Sequence, residues 1–327
     1  MTAEVRSDAR LRTGDWQQIG IFLAIAFGLS WLIALPLWFG DGLASPWFTA
    51  VAVAIMATPA IAALVVVLLV ERPQHKAWVL GLWPLRPVGR VLGWSAVGVL
   101  VSIALVLVAI PVGAALGVFP ADFANFSGYQ QILDGQLGAA GGGALPLSTG
   151  ALIAVQLITL PFASVINVIP ALGEELGWRG WLLPKLMRLG AVPAMLISGV
   201  IWGVWHAPLV LLGYNYPDAP GWVGVAAMSA MCILLGVVFG WVRLRSGSVW
   251  PAALAHAALN AAGSTFLLFS MAGEHVDTTQ ATILGWSGWI VPLVLAVVLF
   301  ATGQFSPAKH PSAPPPPRVD VAHRDCC

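Results

Sequence analysis

The chain has 327 residues, of which 59% are hydrophobic and only 9% charged, and its mean hydropathy is +0.87. Lys and Arg number 15 against 14 Asp and Glu, which gives a formal net charge of +1. This composition excludes an ordinary soluble protein of two domains, and no basic cluster interleaved with aromatic residues suggests nucleic-acid binding. Repeated apolar runs of about 20 residues instead predict an all-α polytopic membrane protein.

Eight apolar runs of membrane-spanning length follow one another along the chain. We expect a cytosolic N-terminal segment over 1–16, a membrane domain of eight transmembrane helices over 17–304, and a disordered Pro-rich cytosolic tail over 305–327. The predicted spans cover residues 17–39, 47–70, 91–118, 149–170, 191–213, 222–242, 248–270 and 284–304.

The basic residues predict the orientation of these spans. All 15 Lys and Arg fall in alternate connections, and the other connections carry acidic residues only. By the positive-inside rule, the chain is a multi-pass protein of the cell membrane with both termini in the cytosol. The basic groups are Arg6, Arg10 and Arg12; Arg72, Lys76, Arg86 and Arg90; Arg179, Lys185 and Arg188; Arg243 and Arg245; and Lys309, Arg318 and Arg324.

Ionisable side chains are almost absent from the spans. Of six histidines only His206 and His256 lie inside them, and ionisable residues at membrane depth are costly and usually functional. Asn260 follows His256 by four residues, so the two side chains share one helix face. A His and an Asn placed in this way can donate hydrogen bonds to a developing oxyanion.

Two adjacent glutamates, Glu174 and Glu175, end the fourth apolar stretch. Glu175 precedes Arg179 by four residues, the favoured order for an ion pair on a helix. Glu174 points about 100° away from Glu175, so it is free of that pair and available as a general base. The alternative is a cytosolic helix end whose carboxylates are solvated, but the two membrane histidines favour a hydrolytic site.

Three short motifs give the chain a resemblance to a known family. The run Glu174-Glu175-Leu176-Gly177-Trp178-Arg179 matches the E-E-x-x-x-R signature of the CPBP intramembrane proteases, which include the type II CAAX prenyl proteases. The second motif, an aromatic residue followed four positions later by His, reads Trp202-Gly203-Val204-Trp205-His206. The third, H-x-x-x-N, reads His256-Ala257-Ala258-Leu259-Asn260. The resemblance covers about residues 150–265.

The resemblance implies a role for each matching residue. Glu174 with His206 would activate the attacking water, and His256 with Asn260 would stabilise the oxyanion. Glu175 and Arg179 would hold the geometry of the site. The chain departs from the family pattern at Trp202, where the family usually has Phe, and we expect altered packing there rather than lost chemistry.

The cofactor prediction stays open between none and a divalent metal. Two His and a Glu could bind zinc with an open position for water, so His206 and His256 are candidate ligands if a metal is bound. However, the chain has no H-E-x-x-H motif, and an Asn is a poor zinc ligand. The same residues can work as a metal-free glutamate–histidine hydrolase, which is the reading we prefer.

The sequence therefore predicts an intramembrane endopeptidase that cleaves a membrane-associated or lipidated peptide or protein, with CAAX processing as the family's example. Its expected partners are that substrate and the lipid bilayer, without nucleic acid. The alternatives are a non-catalytic binding or bacteriocin-immunity protein of the same fold and a proton-coupled transporter. We expect the cavity to open to the cytosol.

The predicted spans place the site residues at different depths. His206 lies about 22 Å along its span from the cytosolic side and His256 about 12 Å, whereas Glu174 lies near the cytosolic edge. For these residues to meet, we expect span 4 to continue as a helix well past Pro170.

Overall fold

The computed structural model describes residues 11–83, 85–139, 141–142 and 147–310. The prediction of an all-α membrane protein is confirmed, since the described residues form no β-strand and only Ala121 and Ser270 make an isolated bridge. The helices are α1 Thr13–Trp38, α2 Phe48–Met56, α3 Thr58–Val65, α4 Lys76–Val79, α5 Val88–Ala115, α6 Ser127–Ala139, α7 Thr149–Ile166, α8 Val168–Glu175, α9 Leu183–Leu186, α10 Ala191–Trp205, α11 Ala207–Val210, α12 Gly221–Ser246, α13 Trp250–Ala262 and α14 Ile290–Ala301.

Five helical stretches among the described residues are long and apolar enough to cross a membrane: α1, Phe48–Glu71, α5, α7 and α12. Two of the other predicted spans contain shorter apolar helices, α10 and α14, and a third contains the 13-residue α13. The count of eight crossings therefore stays a prediction. Residues 1–10 of the N-terminal segment and 311–327 of the predicted disordered tail lie outside the described residues.

Local sequence explains where several of these helices begin and end. The Ser148 hydroxyl accepts a hydrogen bond from the backbone N–H of Ala151 and so caps the start of α7. Pro251 stands in the first turn of α13, where its missing N–H costs nothing. Gly247 ends α12 in the left-handed conformation, with its N–H bonded to the Arg243 carbonyl.

One end of the helical bundle gathers charged side chains, and we call it the basic end. Lys185 Nζ lies 2.7 Å from Glu71 Oε1 and 2.8 Å from Gln18 Oε1. Arg188 pairs with Asp15 at 2.8 Å. These contacts bring together the start of α1, the residue that ends the Phe48–Glu71 stretch, and α9 with the residues that follow it.

The other end, which we call the opposite end, is joined by several neutral hydrogen bonds and by a contact of 2.9 Å between His275 and Asp218. Trp38 Nε1 donates to the Pro208 carbonyl at 2.9 Å. The Tyr216 hydroxyl donates to the Leu284 carbonyl at 3.0 Å, and the Thr278 hydroxyl donates to the Asn215 carbonyl at 2.6 Å. The connection after α11 is thereby held against the segment that precedes α14.

Between the site and the basic end the interior is tightly packed. Trp178, Trp181 and Leu182 are at most 1% exposed. Phe22 of α1 stacks on Trp181 with ring centroids 4.8 Å apart and meets Trp178 edge-on at 5.5 Å. This aromatic layer is almost completely buried.

Candidate active site

The first motif lies on a helical segment that changes its hydrogen-bonding pattern. After Asn167 the chain is helical through α8, and the residues Leu176–Leu182 form a π-helix that leads into α9. The helical backbone thus continues past Pro170, as the sequence led us to expect. Short π-helical turns are rare and often occur at functional sites.

Small residues let this segment approach its neighbours closely. A Cβ atom added at Gly173 would lie 2.7 Å from the Met56 carbonyl oxygen, and one added at Gly177 would lie 2.5 Å from Pro59 Cβ. Both positions face the α2–α3 junction. Glycine is therefore required on either side of the glutamate pair by steric contact with another helix.

Glu175 lies fully buried behind the site and is shared by two partners. Its Oε1 atom lies 2.7 Å from Arg179 Nη1 and 3.0 Å from His256 Nδ1. Its Oε2 atom has no hydrogen-bond partner among the described residues. This carboxylate therefore links the first motif to the third across two helices.

Glu174 faces the other way and lines a cavity. Its Oε2 atom accepts a hydrogen bond of 2.7 Å from Trp202 Nε1. The Trp202 ring also covers the Arg179 guanidinium, whose carbon lies 4.2 Å from the ring centroid, within the range of a cation–π interaction. Sequence reasoning treated Trp202 only as altered packing and missed this donor, although the indole N–H that a Phe lacks was the available signal.

The hydrogen bonds of the two histidines define which ring nitrogen is free. His206 Nδ1 lies 2.8 Å from the Trp202 carbonyl oxygen, which can only accept, so Nδ1 carries the hydrogen. His256 Nδ1 faces the Glu175 carboxylate in the same way. In each ring Nε2 is thus the nitrogen available to water or a substrate.

The cavity has a volume of about 450 Å³, within the usual range for a ligand site. Its polar wall contains Glu174, His206, His256 and Asn260, whereas Glu175 and Arg179 do not reach it. Asn260, one turn beyond His256 on α13, is exposed. The remaining wall is mainly apolar and includes Ile55, Met56, Leu209, Met228, Met231 and Phe266.

The structure thus groups the six predicted site residues in two layers. Glu174, His206, His256 and Asn260 face the cavity, and Glu175 with Arg179 supports His256 from behind. Such a site offers a carboxylate and imidazole nitrogens that can accept a proton, and an amide that can donate a hydrogen bond. These are the groups that general-base hydrolysis needs.

The fit to a metal is poor. No three His, Cys, Asp or Glu side chains of the described residues form a group that could hold a metal ion. A zinc site usually takes at least three protein ligands, and although Glu174, His206 and His256 all line the cavity, they do not form such a group. We therefore derive no step through a metal.

The fold and the site define a helical membrane protein with a carboxylate–imidazole cavity. Residues 156–262 match the family described as "Rce1-like: Type II CAAX prenyl endopeptidase Rce1-like". "CAAX prenyl protease 2" of Methanococcus maripaludis is 25% identical over 138 residues, which is 40% of this chain and 47% of that relative. The chain thus matches about half the length of this curated relative. The resemblance to the CPBP, or Rce1-like, proteases is confirmed for this region.

Proposed function

We propose that the protein is an intramembrane endopeptidase that hydrolyses a peptide bond of a membrane-associated or lipidated polypeptide. The observation that carries this proposal is the cavity wall, in which a carboxylate, two imidazoles and an amide meet within a helical core. The family match over 156–262 supports it, because the match includes all three motifs.

In the proposed reaction, Glu174 and His206 activate water. The Glu174 carboxylate takes a proton from the water as the water oxygen attacks the scissile carbonyl carbon. Trp202 orients both groups, because its indole donates to Glu174 and its carbonyl fixes the His206 ring. His206 Nε2 then faces the reaction as a second proton acceptor.

His256 and Asn260 are proposed to bind the oxyanion of the tetrahedral intermediate. Donation from His256 Nε2 requires the imidazolium form, because Nδ1 already donates to Glu175. The buried Glu175 carboxylate favours this positive charge. When the intermediate collapses, the C–N bond breaks and the proton held by Glu174 passes to the leaving amine, without a covalent enzyme intermediate.

The test is proteolysis by the purified protein in nanodiscs, with a farnesylated C-a-a-X peptide and a library of membrane peptides as substrates. We expect wild type to cleave and Glu174→Gln to lose about 10²- to 10⁴-fold in kcat/KM, the usual contribution of a general base. Glu174→Gln keeps the size of the side chain and an acceptor for the Trp202 N–H, so we expect an unchanged melting temperature.

Each outcome points to one function. Cleavage that persists in Glu174→Gln would contradict the proposed mechanism. Peptide binding by folded wild type without cleavage would favour the binding or immunity protein. Ion-coupled uptake that is lost in Glu174→Gln would favour the transporter.

A further inference from the structure

The walls of the cavity come from one end of the bundle. Beyond the motif residues, its lining includes Tyr214 and Asn215 after α11, Ser264 and Phe266 after α13, and Leu284 before α14. All of these segments belong to the opposite end. Within the described part of the chain, no residue of 66–90, 183–191 or 241–251, the segments of the basic end, lines the cavity.

The basic end is closed beneath the site. Glu175 is 0% exposed and Arg179 is 2% exposed, and Trp178 and Trp181 of the same helical segment are each 1% exposed. Trp181 Nε1 donates to Glu71 Oε1 at 3.2 Å, and the same oxygen pairs with Lys185. A substrate approaching from the basic end would have to separate these aromatic and charged contacts.

The exposed rim of the cavity lies on α13 and just after it. Asn260 and Ser264 are exposed, although both line the cavity, and Tyr214 and Asn215 are half-buried. Exposed polar side chains that continue into a cavity lined mainly by apolar ones mark an entrance. The exposed rim therefore begins near the middle of the bundle at Asn260 and continues through Ser264 to Tyr214 and Asn215 at the opposite end.

The three basic groups that connect spans on the predicted cytosolic side all contain residues of the basic end or its flanking segments. By the positive-inside rule, the opposite end faces away from the cytosol. We infer that the cavity opens to the non-cytosolic side of the membrane and takes a polypeptide segment presented from that side, such as an exported membrane-associated peptide. This inference replaces our expectation of a cavity open to the cytosol. That the polypeptide is a substrate, and not only a ligand, rests on the proposed function.

The inference narrows the substrate class. The C-terminal tail of a cytosolic prenylated protein would arrive at the closed basic end. A peptide at the opposite end can instead reach Glu174 through the entrance at Asn260. The apolar lining from Met228, Met231 and Phe266 favours an apolar side chain or an acyl chain next to the scissile bond.

The test is the sidedness of cysteine labelling by a membrane-impermeant maleimide. Cys326 and Cys327 are replaced by Ser, and the fully buried Cys232 is retained as a background that should not react. Ser264→Cys and Asn215→Cys report on the entrance, and Arg188→Cys, whose side chain is 48% exposed, reports on the basic end. Labelling is compared in spheroplasts and inverted vesicles, with detergent-solubilised protein as the control for reactivity.

We expect Ser264→Cys and Asn215→Cys to react in spheroplasts and to lose labelling in inverted vesicles, and Arg188→Cys to behave in the opposite way. Entrance cysteines that react from the cytosolic side would overturn the inference. The inference would also be overturned if the entrance cysteines reacted in detergent-solubilised protein but from neither side of the membrane. Two entrance positions guard against a single variant that fails to fold.

A second measurement separates this inference from the proposed function. A membrane-impermeant fluorogenic peptide that the purified protein cleaves is added to right-side-out vesicles and, separately, to inverted vesicles. Cleavage in right-side-out vesicles and its loss in inverted ones is expected, and the reverse overturns the inference. If the purified protein cleaves no peptide, the proposed function fails, whereas the labelling still decides on which side the cavity opens.

Discussion

Glu174 and Glu175 are neighbours in the chain but belong to two different regions of the molecule. Glu174 lies on the cavity wall with one indole donor, whereas Glu175 lies in the layer behind the wall, between Arg179 and His256. A helix turns by about 100° per residue, so adjacent carboxylates can face an aqueous cavity and a dry core. The comparison suggests that the cavity wall determines the chemistry and the layer behind it determines the geometry.

The largest expected effect is on the layer behind the wall. Arg179→Leu would leave Glu175 buried without its cation, and breaking such a pair typically costs about 3–5 kcal/mol. We expect a large drop in melting temperature in detergent and loss of folded protein. The double variant Glu175→Leu with Arg179→Leu removes both charges and should recover part of this stability. If Arg179→Leu alone were as stable as wild type, the distinction between the cavity wall and the layer behind it would not hold.

The next effect concerns the wall. Asn260→Ala removes a proposed oxyanion donor, which typically lowers kcat by about 10²- to 10³-fold. Because Asn260 is exposed and its side chain makes no hydrogen bond to a described residue, we expect no change in melting temperature. Steady-state kinetics and thermal melting of the same preparation check both statements. If the free energy of unfolding fell by more than the activation free energy rose, Asn260 would belong to the layer behind the wall.

Trp202 connects the two regions, and its replacement should have a smaller effect. Trp202→Phe keeps an aromatic ring over Arg179 but removes the donor to Glu174, a change worth about 1.5 kcal/mol. We expect kcat to fall about tenfold with KM unchanged, because the variant mispositions the base without altering the apolar lining.

Trp205→Phe is the matched control. The Trp205 indole donates to the Thr58 hydroxyl at 3.1 Å rather than to a site residue. This variant should lose some stability while its kcat stays near that of wild type. Equal losses of kcat in both variants would argue for a general packing effect.

The smallest effect is expected at the basic end. Lys185→Met breaks contacts to Glu71 and Gln18 whose side chains are partly exposed, and such pairs contribute about 0–1 kcal/mol. We expect a small decrease in melting temperature that disappears in high salt, with unchanged kcat/KM. A change in kcat/KM would show that closure of the basic end is coupled to the site.

Sequence patterns predicted part of this arrangement. Apolar runs gave the helical membrane fold, and the four-residue spacing of Glu175 and Arg179 predicted their contact. The bond between Glu175 and His256 joins residues 81 positions apart, so only the packing of helices could reveal it. The side on which the cavity opens depends on how the segments around Tyr214 and Leu284 pack, which the sequence patterns do not give. Our inference of a non-cytosolic opening therefore differs from the expectation drawn from the sequence.

The glycines beside the glutamate pair have a consequence for protein engineering. Glycine-to-alanine exchange within a helix is a standard route to thermostable variants, because it reduces the freedom of the unfolded chain. At Gly173 and Gly177 the added methyl group would collide with the backbone of the α2–α3 junction. A consensus or helix-propensity redesign of this protein should therefore leave both positions unchanged, however favourable alanine looks on an isolated helix.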